Sequence, residues 1–266
     1  MPAVRLESVS KVFRHRPALF NWLGRERGGE TRALDRISFE VPSGSVLVLL
    51  GPNGSGKTTT LKLISTMLLP DEGQVRVQNF DTCQDSHAVR ERVGFAVATE
   101  RSFFPRLSAR ENLDFFATLD DTPRRSRAER VNELLIRTGL QDAADTLVMK
   151  FSSGMYQRLG IARALMKRPA VVLLDEPTRS LDPGSAAQFW NLVRELPAQG
   201  ATVILTTHNF NEAVAVGNHV AILFKGTLAA ERRLSATMRV DELRSFYFQT
   251  TGELEEVEPV AARSLR

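Results

Sequence analysis

Apolar positions along this chain follow two alternating rhythms, one of period two or unbroken and one of three and four. Val4–Leu6 and Lys11–Phe13 read as short strands. Ile37, Phe39 and Val41 alternate with polar residues and predict a half-buried strand that stops at Pro42-Ser43-Gly44. Val46–Leu50 is unbroken and apolar, as a buried strand is, and Leu61, Ile64, Ser65 and Leu68 then recur at helical offsets. Pro70–Gly73 predicts a turn and Gln74–Val77 another strand; residues 86–98 pass from a polar helix into the apolar Val93–Ala98. Helical spacing dominates from about Leu107 to Leu165. There Ser108 with Glu111 forms a capping box ahead of Leu113, Phe116 and Leu119, and a basic helix, Arg124–Thr138, ends at Gly139. The strand–helix alternation then returns. Ala170–Leu174, Thr202–Leu205 and Val220–Phe224 read as strands; helices run through Phe189, Leu192, Val193 and Leu196, and over Asn211–Val216. Such alternation implies parallel crossovers and an α/β fold, with a helical subdomain inserted at about 86–165. After Gly226 the pattern fades into a short extension, 227–266. Phe246–Phe248 reads there as a strand, and the acidic end, Glu253 to Glu258, as frayed.

Residues 14–31 interrupt the pattern with Pro17, three glycines and four arginines around Leu19, Phe20, Trp22 and Leu23. They read as an exposed insertion: either a solvated loop over a local apolar cluster, or a surface that docks on a partner or on lipid headgroups.

Composition changes this picture little. The 266 residues are 42% apolar and 25% charged, which is ordinary for a folded domain. A single cysteine, Cys83, excludes an internal disulfide and a cysteine-based metal site. A net charge of +4 permits contact with anionic surfaces without arguing for it. MPAVRLESVS lacks the apolar core of a secretory leader, and no apolar run is long enough to span a bilayer, so a soluble chain is expected.

The candidate chemistry begins at GPNGSGKTT, Gly51 to Thr59, between the strand Val46–Leu50 and a helix. This is the context of a phosphate-binding P-loop. Gly51, Gly54 and Gly56 allow the tight turn that aims backbone N–H groups at an anion, and the helix dipole adds to it. Lys57 supplies charge for β and γ phosphates, and the Thr58 hydroxyl can reach Mg2+. Asp175 and Glu176 close the buried strand Ala170–Leu174, where ligands of open α/β sheets bind. Asp175 can hold magnesium, directly or through water; Glu176 can orient or deprotonate an attacking water.

The chain resembles the ATP-binding subunit of an ABC transporter over about residues 4–226. GPNGSGKTT resembles the Walker A motif, with Gly51, Pro52, Asn53, Gly54, Ser55, Gly56, Lys57, Thr58 and Thr59 at the nucleotide. VVLLDEPT, 171–178, resembles Walker B followed by the catalytic glutamate; Ser180-Leu181-Asp182 resembles the D-loop; His208 stands at the switch histidine, and Phe13 where an aromatic stacks on adenine. FSSGMYQR, 151–158, stands at the signature. Its Ser152 and Gly154 precede a helix and make a second N-terminus suited to phosphate. The resemblance implies a P-loop NTPase (RecA-like) core with a mainly parallel sheet, an N-terminal antiparallel β subdomain and an inserted α-helical subdomain. It also implies ATP and Mg2+, and head-to-tail pairing with a second copy that sandwiches each nucleotide between one P-loop and the partner's signature. A separate membrane permease would hold the chain at the cytoplasmic face of the cell membrane, and no nucleic acid is expected as partner.

Two departures stand out. Ser153 and Met155 replace a glycine and a glutamine of the usual signature, and the stretch after Val97 has no Q-loop glutamine, with Thr99 and Glu100 the nearest polar substitutes. FSSGM and ERSFFPRLSARENL are similar to the ATPases of type-two exporters, which move polysaccharides, teichoic acids, lipids or drugs. An importer ATPase, or a soluble cassette acting in DNA repair or translation, is the alternative.

Overall fold

The computed structural model describes residues 1–14, 29–97, 102–235 and 237–253. The chain opens with β1 (Pro2–Arg14) and β2 (Glu30–Pro42), which pair antiparallel from Pro2↔Pro42 to Arg14↔Glu30. The two short strands expected at the start are thus one long strand, bulged where the register shifts near Val9 and Lys11. The insertion expected at 14–31 is bounded by this pairing, and its residues 15–28 lie outside the described residues. Next come β3 (Val46–Leu50), α1 (Lys57–Ile64), β4 (Glu72–Val77), β5 (Phe80–Asp81), α2 (Ser86–Arg92) and β6 (Val93–Val97). Helices α3 (Ala109–Leu119), α4 (Arg124–Arg137) and α5 (Ser153–Ala164) follow. The chain closes with β7 (Val171–Asp175), α6 (Pro183–Glu195), β8 (Thr202–Thr207), α7 (Phe210–Val216), β9 (His219–Phe224), β10 (Thr227–Arg233) and α8 (Val240–Thr251).

The strands form two sheets: an antiparallel one, β2-β1-β4-β5, and a six-stranded one, β10-β9-β3-β8-β7-β6. In the larger sheet β9, β3, β8, β7 and β6 run parallel, and only β10 is antiparallel to its neighbour. Alternation along each buried strand sends side chains to opposite faces. Val48, Leu174, Leu205 and Ile222 face a core shared with the helices α3 to α8; Leu49, Leu173, Ile204 and Leu223 face a core shared with α1 and the smaller sheet. Because both faces are covered, the central strands β3, β7 and β8 are buried at every position.

Two expectations change. The segment Val93–Val97 pairs with β7 inside the large sheet, so the helices of the inserted unit begin at Ala109 and not near residue 86. Phe246–Phe248 lies within a helix, because Leu243 and Tyr247, four residues apart, turn one face of α8 onto Phe210 of α7. The capping box is present as expected: Ser108 Oγ accepts from the Glu111 backbone N–H, and Glu111 accepts from the Ser108 N–H at 2.7 Å. This whole arrangement brings the carboxyl ends of β3, β7 and β8 side by side, with Asp175 opposite Thr206 and Leu50 opposite Thr207.

Candidate functional site

The loop after β3 turns back on itself before α1. Gly54 and Gly56 take left-handed backbone angles, with φ of 80° and 105°. At Gly56 a Cβ would also meet Leu34 Cδ2 at 2.5 Å and the Ala33 carbonyl at 2.8 Å, so the antiparallel sheet presses on the loop from outside. At Gly51 a Cβ would meet the Leu223 carbonyl at 2.2 Å. Glycine is required at both positions by conformation or close approach. Asn53 and Gly54 form the exposed tip, Pro52 and Thr59 are half-buried, and Thr60 Oγ1 donates to the Gly56 carbonyl at 3.0 Å.

Lys57 folds inward. Its Nζ donates to the carbonyls of Gly51 at 2.6 Å and Pro52 at 2.9 Å, so the ammonium sits at the mouth of the loop. Burial holds its pKa below the ordinary lysine value; Glu176 and then Asp175 oppose that shift. The helix start carries no side-chain cap, and the Ser55 hydroxyl is buried without a hydrogen-bond partner. A buried cation, an uncapped helix N-terminus and an orphaned hydroxyl around one turn fit a polyphosphate.

Asp175 ends β7 beneath this loop. Its carboxylate accepts from Thr58 Oγ1, at 2.9 and 3.0 Å from its two oxygens, and from Thr206 Oγ1 at 2.6 Å. Thr58 and Asp175, expected to share a metal, are therefore in direct contact, and hard oxygen donors of this kind suit Mg2+. Glu176 follows in a left-handed conformation, φ 47°. Its N–H donates to the Thr206 carbonyl at 3.2 Å and lies 3.0 Å from Thr206 Oγ1, which explains how a non-glycine residue is held there. His208 Nδ1 lies 3.2 Å from Glu176 Oε1, and the Arg179 guanidinium lies 3.9 Å from Oε2. Beside Gly51, Pro52 and His208 opens a cleft of about 610 Å³, also walled by Tyr247 and Phe248 of α8.

The remaining expected residues lie apart from this corner. Ser152 caps α5, accepting from the Met155 N–H at 3.2 Å; it is exposed, and Gly154 is half-buried. Asp182 caps α6 by accepting from the Ser185 N–H at 3.0 Å, and its hydrogen bonds with Ser185 lower its pKa. Phe13 sits on β1 opposite Thr31, with Lys11 Nζ 5.9 Å from its ring, in the smaller sheet. Ala98, Thr99 and Glu100, where the missing glutamine was sought, lie outside the described residues.

Three participants escaped the sequence reading. Thr206 holds both Asp175 and Glu176. Gln157, on α5, bonds the Glu176 carbonyl. Glu212 is 1% exposed and accepts from the Trp190 indole N–H at 3.3 Å. Burial raises its pKa, with the Thr207 and Thr178 side chains as further partners. An acid beside Ala213 on the apolar face of a helix that follows His208 was the available signal for this last one.

Comparison with known proteins bears on the family and the fold. The profile of the ABC transporter family matches residues 34–179. The daunorubicin resistance ATP-binding protein DrrA3 of Streptomyces coeruleorubidus is 38% identical over 206 residues, 77% of this chain and 65% of that protein. The ABC transporter ATP-binding protein NatA of Bacillus subtilis (strain 168) is 34% identical over 195 residues, 73% of this chain and 79% of that one. The Nod factor export ATP-binding protein I of Ralstonia nicotianae is 36% identical over 207 residues, 78% of this chain and 64% of that protein. Among solved structures, the dimeric post-hydrolysis form of the ATP-binding cassette MJ0796, bound to ADP and Pi, superposes with a TM-score of 0.76 at 28% identity, covering 87% of this chain and 99% of that one. The chain belongs to the ABC transporter family of ATP-binding cassettes. It spans 61–65% of the length of the drug-resistance relatives it matches.

Proposed function

We propose that this chain is the ATP-hydrolysing subunit of an exporter and works through a separate membrane permease. One observation carries the reading: Thr58 from the P-loop, Asp175 and Glu176 from β7, and His208 from the turn after β8 meet at one corner, with Thr206 holding the two acids. The reaction is attack of water on the γ-phosphorus of ATP. The bond from the γ-phosphorus to the bridging oxygen breaks, ADP carries away that electron pair, and the water proton passes toward the Glu176 carboxyl. His208 keeps Glu176 aimed. Lys57 and the loop N–H groups stabilise charge on the phosphates, and Thr58 with Asp175 would hold Mg2+, which supplies charge neutralisation at the β and γ oxygens when bound.

The second half of the site comes, in this reading, from another copy. Ser152 stands exposed at the start of α5, its hydroxyl accepting from the Met155 N–H of its own helix, and MJ0796 was solved as a dimer. Export is supported by the relatives, which include drug-resistance and Nod factor export proteins. Among the described residues no helix is long and apolar enough to cross a membrane, and in this reading the permease supplies the membrane path. An exposed aromatic pair, Phe104 and Phe115, with ring centroids 4.8 Å apart, lies just past the glutamine-free segment and suits an apolar element of that permease.

The test is Glu176→Gln. It is expected to bind ATP and to hydrolyse it at least about 10²-fold more slowly; turnover at the parent rate would remove Glu176 from its role. Co-purification with the product of a neighbouring reading frame that has several apolar spans would identify the permease.

A further inference from the structure

Helix α5 has two ends of business. Its first turn presents Ser152 outward; one turn on, Gln157 points inward and is 5% exposed. Gln157 Nε2 donates to the Glu176 carbonyl at 3.1 Å, and Gln157 Oε1 accepts from the Ser180 N–H at 3.3 Å. One partner can only accept and the other only donate, so the amide has one orientation. Glu176 is thereby gripped on both sides: β8 holds its N–H through Thr206, and α5 holds its carbonyl through Gln157. The same helix presses on the following turn a second time. A Cβ at Gly154 would lie 3.1 Å from the Ser180 carbonyl and 3.4 Å from Leu181 Cδ2.

These contacts join two places that, in the dimer proposed above, serve different nucleotides. Ser152 and Gly154 meet the partner's ATP; Glu176 acts on the chain's own. We infer that Gln157 is a positioning residue that couples the two ATP sites of the dimer. A small movement of α5, when its first turn takes the partner's γ-phosphate, is passed through the Gln157 amide to the backbone of Glu176. Glu176 is sensitive to such a pull because its left-handed conformation is held by hydrogen bonds and not by intrinsic preference. The inference rests on the composite-site reading.

The experiment measures ATP hydrolysis by the purified chain against ATP and against protein concentration, together with binding of a non-hydrolysable ATP analogue. Gln157→Met keeps the length and removes both bonds. Gln157→Glu keeps the acceptor for Ser180 but sets two acceptors face to face at Glu176. Both variants are expected to bind the analogue like the parent, to lose about tenfold in kcat, and to drop from a Hill coefficient near about two to one. Gln157→Glu should lose at least as much as Gln157→Met; if the methionine variant does not fold, the glutamate variant decides alone. Parent-like kcat and cooperativity in the folded variants overturn the coupling and leave the dimer standing. A parent protein whose rate per chain is independent of protein concentration and whose Hill coefficient is one overturns the dimer reading, and the coupling with it.

Discussion

The P-loop corner and the start of α5 are both helix N-termini with small residues, yet the molecule treats them in opposite ways. At the first, Lys57 is 5% exposed, Asp175 is 6% exposed, and each has partners within the chain. At the second, the cap is closed by the helix's own Ser152, whose other face looks to solvent. The buried corner is organised in advance, so the cost of placing a cation and an acid together was met on folding. The exposed turn is complete as a helix cap and incomplete as a ligand site. The difference supports the proposal that the first holds a nucleotide and that the second meets a partner's nucleotide.

The comparison can be broken most severely at Lys57. Lys57→Ala is expected to abolish measurable ATP binding, read by titration with a fluorescent nucleotide; unchanged affinity would show that the loop is not the nucleotide site. Next comes Ser152→Asp. Aspartate remains a good helix cap, so folding should persist, but in the proposed dimer its charge would face the partner's phosphates. ATP affinity of the single chain should match the parent, while kcat falls about 10²-fold or more. Loss of affinity in this variant would mean that both regions serve one nucleotide.

Thr206→Val sharpens the account of the buried corner. It removes the hydroxyl that donates to Asp175 and leaves a buried carboxylate short of a partner, at a stability cost of about 1–3 kcal/mol in a urea titration. A variant as stable as the parent would show that Thr58 alone suffices to hold Asp175. The smallest effect is expected at Glu212. Its folded pKa is raised by burial, so the folded chain holds that proton more tightly than the unfolded chain. The stability this contributes is fully present below the ordinary carboxyl value and is lost as pH rises through the raised one. Glu212→Gln cannot titrate. Its Tm relative to the parent should therefore climb as pH is raised from mildly acidic to neutral, and a constant difference would contradict the burial argument.

Much of this was legible because the chemistry lies in short contiguous runs. Gly51 to Thr59 and Asp175-Glu176 declare themselves by residue type, beside strands whose apolar runs announce two covered faces. Ser108 with Glu111 was readable for the same reason, since a capping box is local. What escaped depends on contacts between distant segments. Thr206 is an ordinary strand residue until β8 is set beside β7, and Gln157 is a helix residue until the turn at Glu176–Ser180 folds under it. Val93–Val97 was correctly apolar but joined to the wrong unit, because pairing with β7 is set across the whole helical insertion. Three successive aromatics, Phe246–Phe248, suit a strand by propensity; packing of Tyr247 against Phe210 makes them helical.

The central claim is that one nucleotide needs two chains. Sedimentation of Glu176→Gln, with and without ATP, tests it most directly, with Ser152→Asp added in the same background. The account predicts that Glu176→Gln becomes a dimer only with ATP, and that the double variant binds ATP equally well yet stays a monomer. If the two proteins sediment alike in ATP, whether both as dimers or both as monomers, the α5 start has no part in the partner's site and the claim fails.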